Sequence, residues 1–180
     1  MAGHLWPLLV FELPDEELWR AYQRVFVETY VRNREGNAPT FSDWRGRQIK
    51  FHRENFRHAF TRNPRFREGV DHSVALDLRR AQRVLWIKEA INVSAGTIRL
   101  YQEQFREDGC QKRRKLFYVV EEAYVVIFNE PADPQAPLQF VSAYPTDGRD
   151  YEREIRHKNG ALIDERRAKA GAAENGDKGG

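Results

Sequence analysis

The feature that most constrains the fold is a change in apolar periodicity after Ala95-Gly96. Before this point, apolar residues recur at three- and four-residue spacing, which is typical of helices. After it, short apolar segments separated by turns predict strands in an antiparallel meander. The predicted helices are Pro14 to Asn33, 51 to 60 and Val74 to Asn92, and the predicted strands are 97 to 104, 112 to 121, 123 to 129 and 138 to 144. This order predicts an α+β fold in which N-terminal helices pack on a four-stranded antiparallel sheet.

The chain of 180 residues is expected to form one domain with additions at both ends. We assign residues 1–44 to a helical N-terminal extension, 45–146 to an α+β core, and 147–180 to a charged helix followed by a disordered tail. The tail prediction depends on residues 170–180, which are rich in Ala and Gly and contain no large apolar side chain. The single cysteine, Cys110, excludes an intramolecular disulfide.

Nothing in the sequence predicts a membrane association. No apolar run approaches the roughly 18 residues that a spanning helix needs. The N-terminus lacks the basic region and the cleavage signal of a secretory peptide. The expected compartment is therefore the cytoplasm.

The net charge of +3 conceals a strong asymmetry along the chain. Residues 1–44 carry 4 basic and 7 acidic side chains, whereas residues 45–115 carry 18 basic and 8 acidic ones, a net charge of +10. Residues 116–146 carry 4 acidic side chains and no basic one. A local excess of this size indicates a phosphate-rich partner, and nucleic acid is the partner that we expect. A solvated, arginine-rich surface is the alternative interpretation.

His58 is the first candidate for chemistry. In the predicted helix 51 to 60, Phe56 and Phe60 lie on one face and should anchor the helix to the core. His58 lies about 200° round the helix from Phe56 and points away from that anchor. Glu54 lies one turn away and could orient the imidazole, which suits acid–base chemistry near neutral pH. An ordinary surface histidine is the alternative.

Three arginines form a second candidate site. Arg79, Arg80 and Arg83 lie three and four residues apart on the predicted helix Val74 to Asn92, so their charges should repel one another. A phosphate would compensate them, because guanidinium groups grip phosphate well. Carboxylates elsewhere in the fold would do so equally well.

Four short motifs in a fixed order carry a family resemblance. They are Phe56-x-His58-Ala59-Phe60, Arg80-Ala81-x-x-Val84-x-Trp86-Ile87-Lys88, Lys115-x-x-Tyr118-Val119-Val120 and Phe140-Val141-Ser142-Ala143-Tyr144-Pro145. The set resembles the barnase–EndoU–colicin–RelE-like (BECR) nuclease fold, most closely its phage-associated branch, over about residues 50–146. Where that branch often has threonine, this chain has Ser142, which keeps the hydroxyl group.

The resemblance implies helices on an antiparallel four-stranded sheet and a metal-independent endoribonuclease without a cofactor. It further implies that tRNA or single-stranded RNA is the substrate. The biological role would be that of a toxin or a phage-conflict effector, with an antitoxin or immunity protein as partner. A catalytically inactive nucleic-acid-binding or protein-interaction module of the same fold is the alternative.

Metal-free RNA cleavage needs a base, an acid and cations around the phosphate. His58 is the candidate base or acid, Arg80 the phosphate clamp and Lys115 a second cation. Ser142 and Tyr144 should alternate onto one sheet face together with Phe140, so that both hydroxyls could face one cleft. The predicted RNA-binding residues are Arg79, Arg83, Arg113, Arg114 and Tyr118. For Arg80, a buried structural role is the alternative. For Tyr118, Tyr144 and Trp86, packing in the core is the alternative.

Other chemistries fit the sequence less well. Metal-dependent cleavage needs convergent carboxylates, and those of the strand region fall in turns without ligand spacing. His52-x-Glu54 resembles the start of a deaminase zinc site, but the later Cys-x-x-Cys is missing. We therefore predict no metal site.

Overall fold

The computed structural model describes residues 3–62, 76–146 and 150–169. The helices are α1 (Asp15–Phe26), which continues as a π-helical turn (Val27–Val31), α2 (Asn55–Ala59), α3 (Leu78–Ala81), α4 (Trp86–Asn92) and α5 (Tyr151–His157). The strands are β1 (Phe41–Ser42), β2 (Gln48–Lys50), β3 (Thr97–Glu107), β4 (Cys110–Val119), β5 (Tyr124–Glu130), β6 (Leu138–Pro145) and β7 (Ala161–Arg167). The predicted first helix and the four predicted strands are confirmed as elements, with small shifts at their ends.

The described strands form one mixed sheet of seven strands, curved into a half-barrel, in the order β1-β2-β6-β5-β4-β3-β7. The prediction of a four-stranded antiparallel sheet is therefore wrong. Strands β3 to β6 form the expected meander, but β2 adds to β6 in parallel and β7 adds to β3 antiparallel. Neither pairing was predicted: the connector 40–50 was expected to hold at most a short strand at 48–51, and the residues of β7 fell in the segment assigned to a charged helix and a tail. β1 and β2 are too short to show a period of two, and β7 is exposed at all but one position, so it lacks apolar alternation.

The predicted second long helix is divided. Its first residues, 74 and 75, lie outside the described residues, and the remainder forms α3 and α4 with a turn at 82–85 between them. Asp77 caps α3, since its carboxylate accepts a hydrogen bond from the backbone N–H of Arg80 at 3.3 Å. In the turn, backbone bonds span three residues, as from Val84 to Ala81 at 3.0 Å. Ala81, Val84 and Ile91 stay buried although the helix is broken, whereas Leu78 and Leu85 are partly buried.

The helices cover one face of the sheet and form what we call the large core. Phe26 of α1 lies at its centre, with ring-centroid distances of 5.8 Å to Phe56, 5.9 Å to Phe60 and 5.8 Å to Phe140. The sheet contributes Phe117, Phe128 and Phe140 to it. The predicted extension 1–44 thus supplies α1 and β1 to the same core and sheet as the residues after 45. The boundaries of the three predicted segments stay predictions, and the tail 170–180 lies outside the described residues.

The opposite face of the sheet carries what we call the small core, which α5 covers. It consists of Tyr101, Leu116, Tyr118, Val125, Ile127 and Ile155. Arg99 of β3 fixes this cover: it donates hydrogen bonds to Glu152 of α5 at 2.8 Å and to Glu165 of β7 at 2.7 Å. The hydroxyl of Tyr101 also donates to Glu152.

A β-bulge between β5 and β6 decides which side chains share a face. Ser142 pairs with Ile127, but the next pair along is Phe140 with Phe128, so β6 contains one extra residue there. Phe140 therefore lies in the large core, whereas Tyr144 packs against the small core. Strict alternation had placed Phe140, Ser142 and Tyr144 on one face.

Candidate functional site

Arg80 is held by groups from three separate segments. Its Nη1 donates to the carbonyl oxygen of Ala59 on α2 at 3.2 Å, and its Nε lies 3.4 Å from Asp77 Oδ2. The guanidinium carbon lies 5.0 Å from the ring centre of Tyr144 on β6, a cation–π geometry. The side chain is 28% exposed, and its Nη2 has no partner among the described residues. With respect to the described residues, Arg80 is thus a fixed cation with a donor left for an anion.

Backbone contacts bring α2 and α3 together beneath this arginine. The N–H of Asp77 donates to the carbonyl of Phe60 at 2.8 Å, and Thr61 forms a β-bridge with Leu76. The end of α2 therefore lies against the start of α3, beside β6.

Tyr144, which contacts Arg80, is followed by two further tyrosines on the small core. The hydroxyl oxygens of Tyr144 and Tyr151 lie 3.1 Å apart, and the ring of Tyr118 lies 5.9 Å from that of Tyr151. Burial raises the pKa of Tyr151, which the neighbouring Tyr144 raises further, and burial also raises the pKa of Tyr118. Both phenols are therefore neutral near pH 7 and able to donate a proton in a hydrogen bond.

His58 is exposed on the last turn of α2, where buried Phe56 and Ala59 anchor the helix as predicted. It directly precedes Ala59, whose carbonyl holds Arg80, so the two candidates lie in adjoining segments. His58 forms no hydrogen bond or ion pair with a described residue. Glu54, expected to orient it, lies 4.0 Å from the ring of His52 instead.

Ser142 is buried on β6, two residues before Tyr144, and pairs across the strands with Ile127 of the small core. The structure thus brings Arg80, Tyr144 and Ser142 to one end of β6, with the end of α2 beside them. We call Arg80, Asp77, Tyr144, Tyr151 and His58 the Arg80 site.

Lys115 does not join this group. It pairs with Phe128 of the large core, so its side chain leaves the sheet on the face opposite to Tyr118. Its ammonium donates to Gln102 Oε1 at 2.6 Å and lies 3.6 Å from Glu130. The side chain is 14% exposed, and burial lowers the pKa of Lys115. These contacts give Lys115 a structural role, as the partner of Gln102 and Glu130 in a largely buried polar group.

The three neighbouring arginines have separate partners rather than one shared anion. Arg83 lies over the ring of Trp86 at 4.8 Å and donates to the backbone carbonyl of Arg79 at 2.7 Å. Burial lowers the pKa of Arg83. Arg79 is exposed on α3. The repulsion expected from the sequence persists between Arg79 and Arg83, because Arg79 also lowers the pKa of Arg83.

The other predicted RNA-binding residues lie elsewhere on β4. Arg113 lies 3.4 Å from Glu130, and Arg114 stacks over Phe105 at 4.1 Å. Arg113 lines an open groove of 740 Å³ at that end of the sheet. Tyr118, 7% exposed, packs in the small core, which was the alternative weighed for it. The basic residues of the central segment thus belong to more than one surface.

Sequence reasoning missed Tyr151 and Asp77. Tyr151 was assigned to a charged tail helix, yet it stands four residues before buried Ile155, and this apolar pair was the signal of a packed helix face. Asp77 was read as an acidic residue of a first turn rather than as the cap that also faces Arg80.

Two structural tests limit the chemistry of the described residues. Within 3–62, 76–146 and 150–169, no group of three or more His, Cys, Asp or Glu side chains could hold a metal ion. In the same ranges, no helix is long and apolar enough to cross a membrane.

Comparison with known proteins adds no relative. No protein-family model matches the chain, and neither a curated protein nor a solved structure is significantly similar to it. What the chain does must therefore be inferred from the Arg80 site itself.

Proposed function

We propose that this protein is a metal-independent endoribonuclease whose reaction takes place at the Arg80 site. The observation that carries the proposal is the position of Arg80. A cation is held in place by Ala59 and Asp77, has a donor without a partner among the described residues, and lies against Tyr144, whose hydroxyl contacts that of Tyr151. A fixed arginine is well suited to stabilise the charge that develops on a phosphate during cleavage.

The reaction can be written with the groups available. A base removes the proton of the RNA 2′-hydroxyl, the 2′-oxygen attacks the adjacent phosphorus, and the 5′-oxygen leaves with a proton from an acid. The products are a 2′,3′-cyclic phosphate and a 5′-hydroxyl. Arg80 would bind the non-bridging oxygens. Histidine exchanges protons near neutral pH, so His58 is the candidate base or acid.

The tyrosine pair offers a second proton donor. Tyr144 and Tyr151 share one hydrogen bond between their hydroxyls, so only one of the two protons is used. The other proton is available to a phosphate oxygen or to the leaving group. The resemblance supports RNA as substrate and a toxin or phage-conflict role, with an antitoxin or immunity protein as partner.

A nucleic-acid-binding module without catalysis is the second candidate. The observation that favours it is the lack of any described group that orients the imidazole of His58, since general bases are usually positioned by a neighbour. Such a module would bind RNA in a salt-dependent manner and leave it intact.

The test is incubation of the protein with tRNA and with single-stranded RNA in EDTA, followed by analysis of the cleaved ends. We expect cleavage that yields 2′,3′-cyclic phosphate and that His58→Ala lowers by about 10²-fold or more. His157→Ala is the matched control, because His157 is also an exposed histidine on the last turn of a short helix. Intact RNA with the parent protein, or equal loss in both variants, would contradict the proposal.

A further inference from the structure

A groove on the outer side of α1 is lined by arginines that have no ion-pair partner among the described residues. Its lining residues are Arg20, Gln23, Arg24, Val27, Glu28 and Arg53, and its volume is 310 Å³. We call it the α1 groove. Four of these positions, 20, 23, 24 and 27, have the three- and four-residue spacing of one helix face. The fifth and sixth are Glu28 on the π-helical turn and Arg53 just before α2.

The charges of the α1 groove are not balanced from within the described protein. Arg20, Arg24 and Arg53 are exposed, and none of them forms an ion pair or a side-chain hydrogen bond with a described residue. Glu28, the one acidic residue in the lining, is engaged by Arg34 at 3.1 Å. Three like charges around one concave surface repel one another, and a bound anion would relieve that repulsion.

This arrangement differs from that of arginines with a structural role elsewhere in the fold. Arg99 is saturated by two carboxylates, which raise its pKa, and Arg83 stacks on Trp86. The three groove arginines have neither kind of partner. Guanidinium forks with free donors match phosphate oxygens in shape and charge.

The location of the groove indicates a polymeric ligand. The ring of Trp19 on α1 packs against Phe56 of α2 at 5.0 Å, so the two helices are joined at the groove. Arg53 precedes α2 by two residues, and α2 rises by roughly 6 Å from Asn55 to Ala59, with His58 on its last turn. A chain of linked phosphates could occupy the groove with one part and reach the end of α2 with the next.

We propose that the α1 groove binds the phosphodiester backbone of single-stranded RNA next to the segment that is cleaved. This inference rests on the proposed ribonuclease function. The inference places most of a cationic site within residues 1–44, although the net charge of this segment is negative. The acidic residues 12, 15, 16 and 17 precede the groove, so the net charge of the segment conceals a local cationic surface.

The experiment measures binding separately from cleavage. The ligand is a single-stranded 2′-O-methyl oligoribonucleotide, which lacks the nucleophilic hydroxyl and so stays intact. Its dissociation constant is measured between about 50 and 200 mM salt for the parent and for the variant Arg20→Gln/Arg24→Gln/Arg53→Gln. The control, Arg106→Gln/Arg153→Gln/Lys158→Gln, removes the same charge from exposed positions on β3, on α5 and just after α5.

The groove variant should weaken binding by about tenfold or more at 100 mM salt. The slope of log affinity against log salt should become shallower by about 2, because three single-strand phosphate contacts contribute roughly 0.7 each. The control should keep most of the parent's affinity. Equal losses in the two variants, or no loss in either, would overturn the proposal. So would the same groove-dependent binding to polyglutamate, which would indicate an acidic protein as the ligand.

Failure of this inference and failure of the ribonuclease proposal give different results. If the parent cleaves RNA and the groove variant binds like the parent, the function stands and the groove proposal is overturned. If the parent does not cleave but the groove variant alone loses binding, the groove proposal is supported and the ribonuclease is overturned.

Discussion

The two faces of the central sheet differ in what covers them. The large core is built almost entirely of rings and aliphatic side chains, and Phe26 touches rings from α2, β6 and its own helix. The small core is covered by a single two-turn helix, α5, and it is rich in hydroxyl and charged groups. Arg99, Glu152 and the tyrosines belong to this second face.

The two faces of the sheet therefore have different roles: one supplies most of the folding free energy, and the other carries the candidate reactive groups. Burial of apolar area is the main source of folding free energy, so most of it should reside in the large core. Polar groups that retain unused donors lie at the edge of the small core, around Tyr144 and Arg80. Substitutions should therefore affect stability and activity separately, according to the face on which they fall.

The largest expected effect is on the large core. Phe26→Ala should lower the free energy of unfolding by about 3–5 kcal/mol, because it removes the ring at the centre of the aromatic cluster. Urea denaturation followed by circular dichroism measures this. Phe105→Ala is the control, since Phe105 is only partly buried and stacks on Arg114. A loss below about 1 kcal/mol for Phe26→Ala would show that the large face does not dominate stability.

The next effect should appear in activity and not in stability. Arg80→Lys keeps the charge but removes the planar fork, so RNA cleavage in EDTA should fall by about 10²-fold. The free energy of unfolding should change by less than about 1 kcal/mol. Arg83→Lys, whose parent guanidinium stacks on Trp86 instead, is the control and should keep cleavage within about threefold. Similar losses in both would mean that Arg80 has no special position.

The smallest effect concerns the acid stability of the small core. Burial opposes ionisation of Glu152, but hydrogen bonds from Arg99 and Tyr101 outweigh it, and the pKa of Glu152 lies below its usual value. Its contribution is therefore present above the unfolded pKa and lost as pH falls through the lower folded pKa. Glu152→Gln should cost about 1 kcal/mol at pH 7, and its stability should converge with that of the parent as pH falls through the lowered pKa of Glu152. A difference that is constant from pH 7 to 3 would exclude this ionic role.

The sequence predicted most of the meander and little of what surrounds it. α1 shows the period of a helix with one buried face, and β5 was recognised as a short apolar run that is buried on both faces. β7 follows no such period, since it is held by backbone pairing with β3 and by the contact between Arg99 and Glu165. The contacts that make these residues a strand are therefore supplied by β3, and the sequence of β7 alone does not reveal them.

The residue types of the candidate site were predicted from the sequence, but their arrangement was predicted only in part. Arg80 and Tyr144 were found as residue types suited to phosphate, and the structure places them in contact. Lys115 was grouped with them because position along a strand does not reveal which face a side chain takes in a given register. The bulge in β6 is also invisible in the sequence, because one extra residue breaks the alternation without changing composition.

The parallel pairing of β2 with β6 has a consequence for the order in which the protein folds. Ile49 pairs with Leu138, so 89 residues (138 − 49) separate two neighbours in the sheet. Contacts this distant form slowly, whereas the meander from β3 to β6 is made of local hairpins. We expect pulse-labelled hydrogen exchange to show protection in β3–β6 before β2; simultaneous protection would contradict this order. The N-terminal half of the chain is synthesised first, but β2 can join the sheet only after β6 has been synthesised. Until then, the aromatic side chains of this half would stay exposed.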